Sequence, residues 1–152
     1  MTATDESRRL ATIAALAADE RKGSNIAVYD VSDVMAISDV FVVITGDNER
    51  QVRAIVEEVE DKLTEAGVEP LRREGHRENR WVLLDYGQFV VHVQRTAERE
   101  FYGLDRLWKD CPRIEVEGVE QTPVTGSADA SLAARSIDEI PLAAPEPDSD
   151  EY

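Results

Sequence analysis

The sequence predicts an α/β domain, in which helices pack against a mixed β-sheet to form a sandwich. Three observations lead to this class. Short runs rich in β-branched residues alternate with longer segments in which apolar residues recur at helical spacing. Glycine, asparagine and aspartate separate these segments. At 152 residues the chain is long enough for one domain with its own core.

The first half of the chain predicts a helix, two strands and a second helix. Residues 6–23 carry apolar side chains at helical spacing and end in a glycine. Residues 26–31 and 39–46 are rich in β-branched residues and favour strands. Residues 49–66 predict an amphipathic helix with one apolar stripe and an acidic outer side, and the Asp-Asn pair before it supplies a cap.

The second half predicts three strands and a final helix. Residues 70–74 predict a short edge strand, because a proline is tolerated at its start. The stretch 80–94, RWVLLDYGQFVVHVQ, predicts two strands that pair around Gly87. Residues 96–110 predict a helix broken at Gly103. The predicted order is therefore α-β-β-α-β-β-β-α.

The composition changes near Pro112. Residues 113–152 hold ten acidic residues, two basic residues, four of the six prolines and one aromatic residue. A segment of this kind buries too little apolar surface to offset the entropy of ordering it. We therefore predict a domain at 1–111 and an acidic, proline-containing and largely disordered tail at 112–152.

The charge of the chain limits its partners and its location. With 32 acidic and 17 basic residues the net charge is −15, which repels nucleic-acid phosphates and attracts basic proteins. A single cysteine forms no internal disulfide and fits a reducing compartment. There is neither a signal-peptide pattern nor an apolar run long enough to span a membrane. We expect a cytoplasmic protein with no membrane contact and little direct contact with nucleic acid.

The two strands around Gly87 predict two different faces. Pairing around the turn places Leu83 opposite His92 and Asp85 opposite Val90. One face is apolar and suits a core beneath helices; it holds Val82, Leu84, Tyr86, Phe89, Val91 and Val93. The other, which we call the mixed face, is expected to stay open to a partner; it holds Trp81, Leu83, Asp85, Val90, His92 and Gln94.

His92 leaves several interpretations open: a structural residue, a partner contact, or part of a catalytic or metal site. Asp85 is its diagonal neighbour, and a hydrogen bond between them is possible. No third member of a catalytic set accompanies the pair. A zinc site needs three or four ligands at recognisable spacing, which the sequence lacks. No metal or cofactor is expected.

Three segments together match a known family: SDVFVVITGDNERQVRAIVEEVEDKL at 38–63, RWVLLDYGQFVVHV at 80–93 and EREFYGLDRLW at 98–108. They resemble the Iojap family, the ribosomal silencing factors (RsfS). The resemblance covers about residues 7–110 and implies a relative of the nucleotidyltransferase-like fold without its active site. It also implies binding to the large ribosomal subunit through large-subunit protein L-fourteen. Bound there, such factors block joining of the small subunit and repress translation in starved or stationary cells; free, they tend to form homodimers.

Other functions are weighed beside this resemblance. A nucleotidyltransferase needs a Gly-Ser turn that opens a helix and two carboxylates spaced Asp-x-Asp on a strand. Here Gly23-Ser24 precedes a strand, and the predicted strands hold no Asp-x-Asp. The chain is therefore not expected to be an enzyme. A large-subunit assembly factor and a general acidic adaptor are the remaining alternatives.

The predicted partner-binding residues lie on the mixed face and on the helix after it. The face supplies apolar anchors and two hydrogen-bonding groups, and the helix supplies two glutamates for Lys or Arg and one aromatic ring. The set is Trp81, Leu83, Asp85, His92, Glu98, Glu100 and Tyr102.

Overall fold

The structure is a computed structural model that describes residues 3–121. Its helices are α1 (Asp5–Glu20), α2 (Glu49–Glu65), α3 (Thr96–Tyr102) and α4 (Leu104–Leu107). Its strands are β1 (Ser24–Asp30), β2 (Val40–Gly46), β3 (Arg72–Glu74), β4 (Trp81–Asp85) and β5 (Phe89–Arg95). The predicted order is confirmed, and so is the break at Gly103. None of the helices within 3–121 is long and apolar enough to cross a membrane.

The five strands form one mixed sheet in the order β1-β2-β5-β4-β3. β2 and β5 run parallel, and the other neighbouring pairs are antiparallel. The register predicted for β4 and β5 is confirmed, since Leu83 pairs with His92 and Asp85 with Val90. The predicted α/β class with a mixed sheet is therefore confirmed.

The apolar face of the sheet packs under α1 and α2, as predicted. Val82, Leu84 and Val91 are fully buried there. The side of α1 that faces the sheet is lined with buried alanines, whose small size allows close approach. Asn48 caps α2 by accepting a hydrogen bond from the Gln51 N–H at 2.9 Å, which confirms the predicted cap.

The predicted end of the domain at residue 111 is wrong, because residues 112–121 pack along the outer edge of β1. We call these residues the edge strap. The Ile114 N–H donates to the Val28 carbonyl at 3.0 Å, and the Val28 N–H donates to Gln121 Oε1 at 2.9 Å. Ile114 and Val116 are 4% and 5% exposed. The rest of the predicted tail, 122–152, lies outside the described residues.

Candidate partner-binding surface

The mixed face forms one side of a second hydrophobic core. α3 and α4 fold back over it, and Leu104 and Trp108 pack against it. Trp81 is 2% exposed, Leu83 1% and His92 0%. The prediction that this face stays open to a partner is wrong, because the last two helices cover it. While that cover is in place, these three predicted binding residues cannot contact a partner.

A buried network of charged side chains holds α3 and α4 on the sheet. Arg99 of α3, 6% exposed, donates from Nε and Nη2 to the Asp105 carboxylate at 2.7 and 3.1 Å. Its Nη1 donates to Thr45 Oγ1 of β2 at 2.8 Å. The Tyr29 hydroxyl of β1 donates to the same carboxylate at 2.5 Å. Both helices are thus tied to two strands by charge-assisted hydrogen bonds.

The ionisation states in this network fit a structural role. Burial alone raises the pKa of Asp105, but hydrogen bonds and the positive charge of Arg99 outweigh it and hold the pKa below its ordinary value. Burial, and then the negative charge of Asp105, raise the pKa of Tyr29. Asp105 is therefore an anion and Tyr29 a neutral donor throughout the neutral pH range.

His92 is a neutral structural side chain beneath α3 and α4. The Trp81 Nε1–H donates to His92 Nδ1 at 3.1 Å, so the ring proton is on Nε2. Burial, with a contribution from the positive charge of Arg99, lowers the pKa of His92 to about 3. Of the interpretations that the sequence left open, the geometry supports the structural one.

The free energy of unfolding should therefore fall as pH drops from 6.5 towards 5. The folded-state pKa of His92 is lowered from 6.5, so the unfolded chain takes up this proton first. The expected loss from this group is about 1.4 kcal/mol per pH unit. Urea denaturation at several pH values should show a smaller loss for His92→Gln, which does not titrate. Equal slopes for the two proteins would contradict this assignment.

Asp85 holds the β4–β5 turn. Its Oδ1 accepts the Gly87 N–H at 2.8 Å, and its Oδ2 lies 3.5 Å from Arg72 Nη2. Asp85 and His92 therefore do not form a dyad, since each binds other groups. Within residues 3–121, no group of three or more His, Cys, Asp or Glu side chains is placed to hold a metal ion.

Glu98 on α3 is already paired within the chain. Its carboxylate receives two hydrogen bonds from Arg95, both at 2.8 Å. Arg95 also pairs with Glu49 at 2.9 Å, which ties α3 to the start of α2. A partner would have to break this pair to use Glu98, and its role in binding stays a prediction.

The outer side of α3 does present an apolar group to solvent. Phe101 is 77% exposed, Glu100 is exposed, and Tyr102 is partly buried with its ring centroid 4.7 Å from that of Trp81. We call Glu100, Phe101 and Tyr102 the α3 surface. Its two aromatic rings pack edge to face, with centroids 4.9 Å apart, so the Tyr102 ring supports the Phe101 ring.

Phe101 was missed in the sequence because its spacing indicates burial. It precedes Leu104 by three residues and Trp108 by seven, which would place all three on one side of a continuous helix. Gly103 interrupts the helix with a left-handed φ of 60°. The two helices therefore do not share one stripe, and Phe101 turns outward. The break itself was predicted, and it was the signal that could have identified this residue.

Comparison with known proteins places this chain in a family. The family model described as "ribosomal silencing factor during starvation" matches residues 4–140. The chain belongs to this family. The family's name describes silencing of ribosomes rather than a catalytic activity, and its match extends over the whole edge strap.

Relatives and solved structures agree with this membership. The chain is 38% identical over 112 residues to "Ribosomal silencing factor RsfS" of Halalkalibacterium halodurans, covering 74% of this chain and 96% of the relative. It is 37% identical over 105 residues to the protein of that name from Bacillus subtilis, covering 69% and 89%. A crystal structure of a Chromobacterium violaceum protein matches with a TM-score of 0.65 and 33% identity, covering 83% and 97%. The resemblance to RsfS is thus confirmed.

Proposed function

We propose that this chain binds the large ribosomal subunit through large-subunit protein L-fourteen and blocks joining of the small subunit. Translation in the cytoplasm would then fall in starved or stationary cells. Membership of the silencing-factor family carries this proposal. The mechanism is steric, because no bond is made or broken. The fraction of silenced subunits depends only on affinity and concentration.

The charge of the chain supports a protein partner on the ribosome. The net charge of −15 steers the chain towards basic ribosomal proteins and away from ribosomal RNA. Long-range attraction of this kind sets the rate of encounter more than the final affinity. A desolvated centre must therefore supply specificity.

The α3 surface is the contact that we assign to this centre. Phe101 is exposed on a short helix that the buried Arg99 network fixes to the sheet, so little conformational entropy is lost when it is covered. Glu100 beside it is placed to meet Lys or Arg. Trp81 supports Tyr102 from beneath and contributes to the shape of the surface, not to the contact itself.

Phe101→Ser should weaken binding to purified large subunits at least about tenfold, because it removes the exposed anchor. Its free energy of unfolding should change little, since the side chain buries almost nothing within the chain. Co-sedimentation of the chain with large subunits measures the effect. Leu16→Ser, on α1, is the control and should bind like the wild type. If Phe101→Ser binds as tightly as the wild type, the assignment of the α3 surface is wrong.

We also propose that the free chain forms a homodimer through β3. This strand is a sheet edge, and its sequence is Arg72-Arg73-Glu74. Antiparallel pairing about a two-fold axis at Arg73 would bring Arg72 opposite Glu74 of the partner subunit. The mixed face does not supply this interface, because it is buried within the chain. Light scattering that shows only monomer at high micromolar concentration would reject this pairing.

A further inference from the structure

Two of the most exposed aliphatic side chains of the described residues flank the same turn. Ile37 is 79% and Leu71 76% exposed. The Ser38 hydroxyl, next to Ile37, donates to the Gly87 carbonyl at 3.2 Å. Leu71 lies next to Gly87. Its Cδ1 is 3.2 Å from the position that a Cβ atom would take if Gly87 had one. We call Ile37, Leu71 and Gly87 the turn patch.

Backbone hydrogen bonds hold the segments that carry Ile37 and Leu71, and both side chains face solvent. The Asp39 N–H, two residues after Ile37, donates to the Gln88 carbonyl at 2.7 Å. The Leu71 N–H donates to the Asp85 carbonyl at 2.7 Å. A single exposed aliphatic residue is common on protein surfaces. Two of them around one ordered turn make a small apolar site of the kind that binds partners.

The surroundings of the turn patch are acidic. It is formed where the segments 31–39, 66–71 and 85–89 meet, and these hold four acidic residues and no basic residue. Arg72 offsets one of the four, Asp85. Asp33 and Glu69 are exposed, and Glu69 lies two residues from Leu71 along the chain. An apolar centre with an acidic rim is complementary to a basic protein segment and disfavours RNA or another −15 chain.

The turn patch is separate from the α3 surface. Trp81, which lies beneath Tyr102, begins β4, whereas Asp85, which binds the Leu71 N–H, ends it. The ends of a five-residue strand are about 13 Å apart at ~3.3 Å per residue. One small side-chain contact therefore does not cover both sites.

We infer that the turn patch is a second contact with the large ribosomal subunit, occupied by a basic segment of a ribosomal protein that carries an apolar anchor. This inference rests on the proposed function and adds a second site to it. Two separated contacts on one rigid domain reinforce each other, because the second forms at high effective concentration once the first is made. Loss of either contact should therefore weaken binding strongly.

The test is co-sedimentation of the full chain with purified large subunits. The double variant Ile37→Ser/Leu71→Ser should show at least about tenfold weaker binding. Its thermal unfolding midpoint should stay close to that of the wild type, because both side chains are exposed. The control Leu16→Ser should bind like the wild type. In a second arm, Glu69→Gln should reduce the salt dependence of binding, whereas the matched variant Glu65→Gln, on α2, should not.

The outcomes separate this inference from the proposed function. If the wild-type chain does not sediment with large subunits, both are wrong. If the wild type sediments and the double variant binds equally well, only the second contact is wrong. If the double variant binds normally but loses self-association in light scattering, the turn patch is an interface between copies and this inference is also overturned.

Discussion

Trp81→Ala should lower the free energy of unfolding by about 3–5 kcal/mol, measured by urea denaturation. The indole is 2% exposed and packs between the sheet and α3. Its removal leaves a cavity beneath Tyr102, whose ring centroid is 4.7 Å away. It also leaves the buried His92 Nδ1 without its donor. The cavity and the lost hydrogen bond both lower the free energy of unfolding.

Phe101→Ala is the control for this experiment. It also shortens an aromatic side chain, but one that is 77% exposed, so its free energy of unfolding should stay within about 0.5 kcal/mol of the wild type. Should Trp81→Ala remain as stable as the wild type yet lose affinity for large subunits, the indole would be a partner-facing anchor and our account of the mixed face would fail.

A chain that ends at Pro112 should be less stable than the full chain by about 3–6 kcal/mol. It loses the burial of Ile114 and Val116, each about 1.5–3 kcal/mol. It also frees the N–H and C=O of Val28 on the β1 edge, where another chain can pair. We therefore expect an earlier thermal transition together with association or aggregation.

A chain that ends at Pro123 is the matched control. It keeps every contact described for the edge strap, so its transition should lie above that of the chain that ends at Pro112. If the chain that ends at Pro112 unfolds at the same temperature as this control, the strap does not stabilise the domain and the boundary predicted from the sequence would be the better one.

The register of β4 and β5 could be predicted because it depends on local rules. A two-residue turn and the two-residue period of a strand fix which side chains lie opposite each other, as in the pair Leu83 and His92. The same period separates the two faces correctly. The residue pattern of a strand does not show which element covers each of its faces.

Two features were missed in the sequence, each for a different reason. A face with a histidine and a glutamine appears too polar for a core, yet both side chains are fully buried, and Trp81 donates a hydrogen bond to His92 Nδ1. The edge strap was missed because overall composition outweighed a local signal. Ile114 and Val116 alternate with glutamates, which is the pattern of a half-buried strand, and both are buried against the domain.

The most direct test of the central claim is a subunit-joining assay on sucrose gradients. Purified large subunits are incubated with the wild-type chain before small subunits are added. We predict that joined ribosomes decrease as the concentration of the chain rises, and that Phe101→Ser needs at least about tenfold more protein for the same decrease. Undiminished joining at a concentration that saturates the large subunits would contradict the account, because a bound chain would then leave the joining surface free.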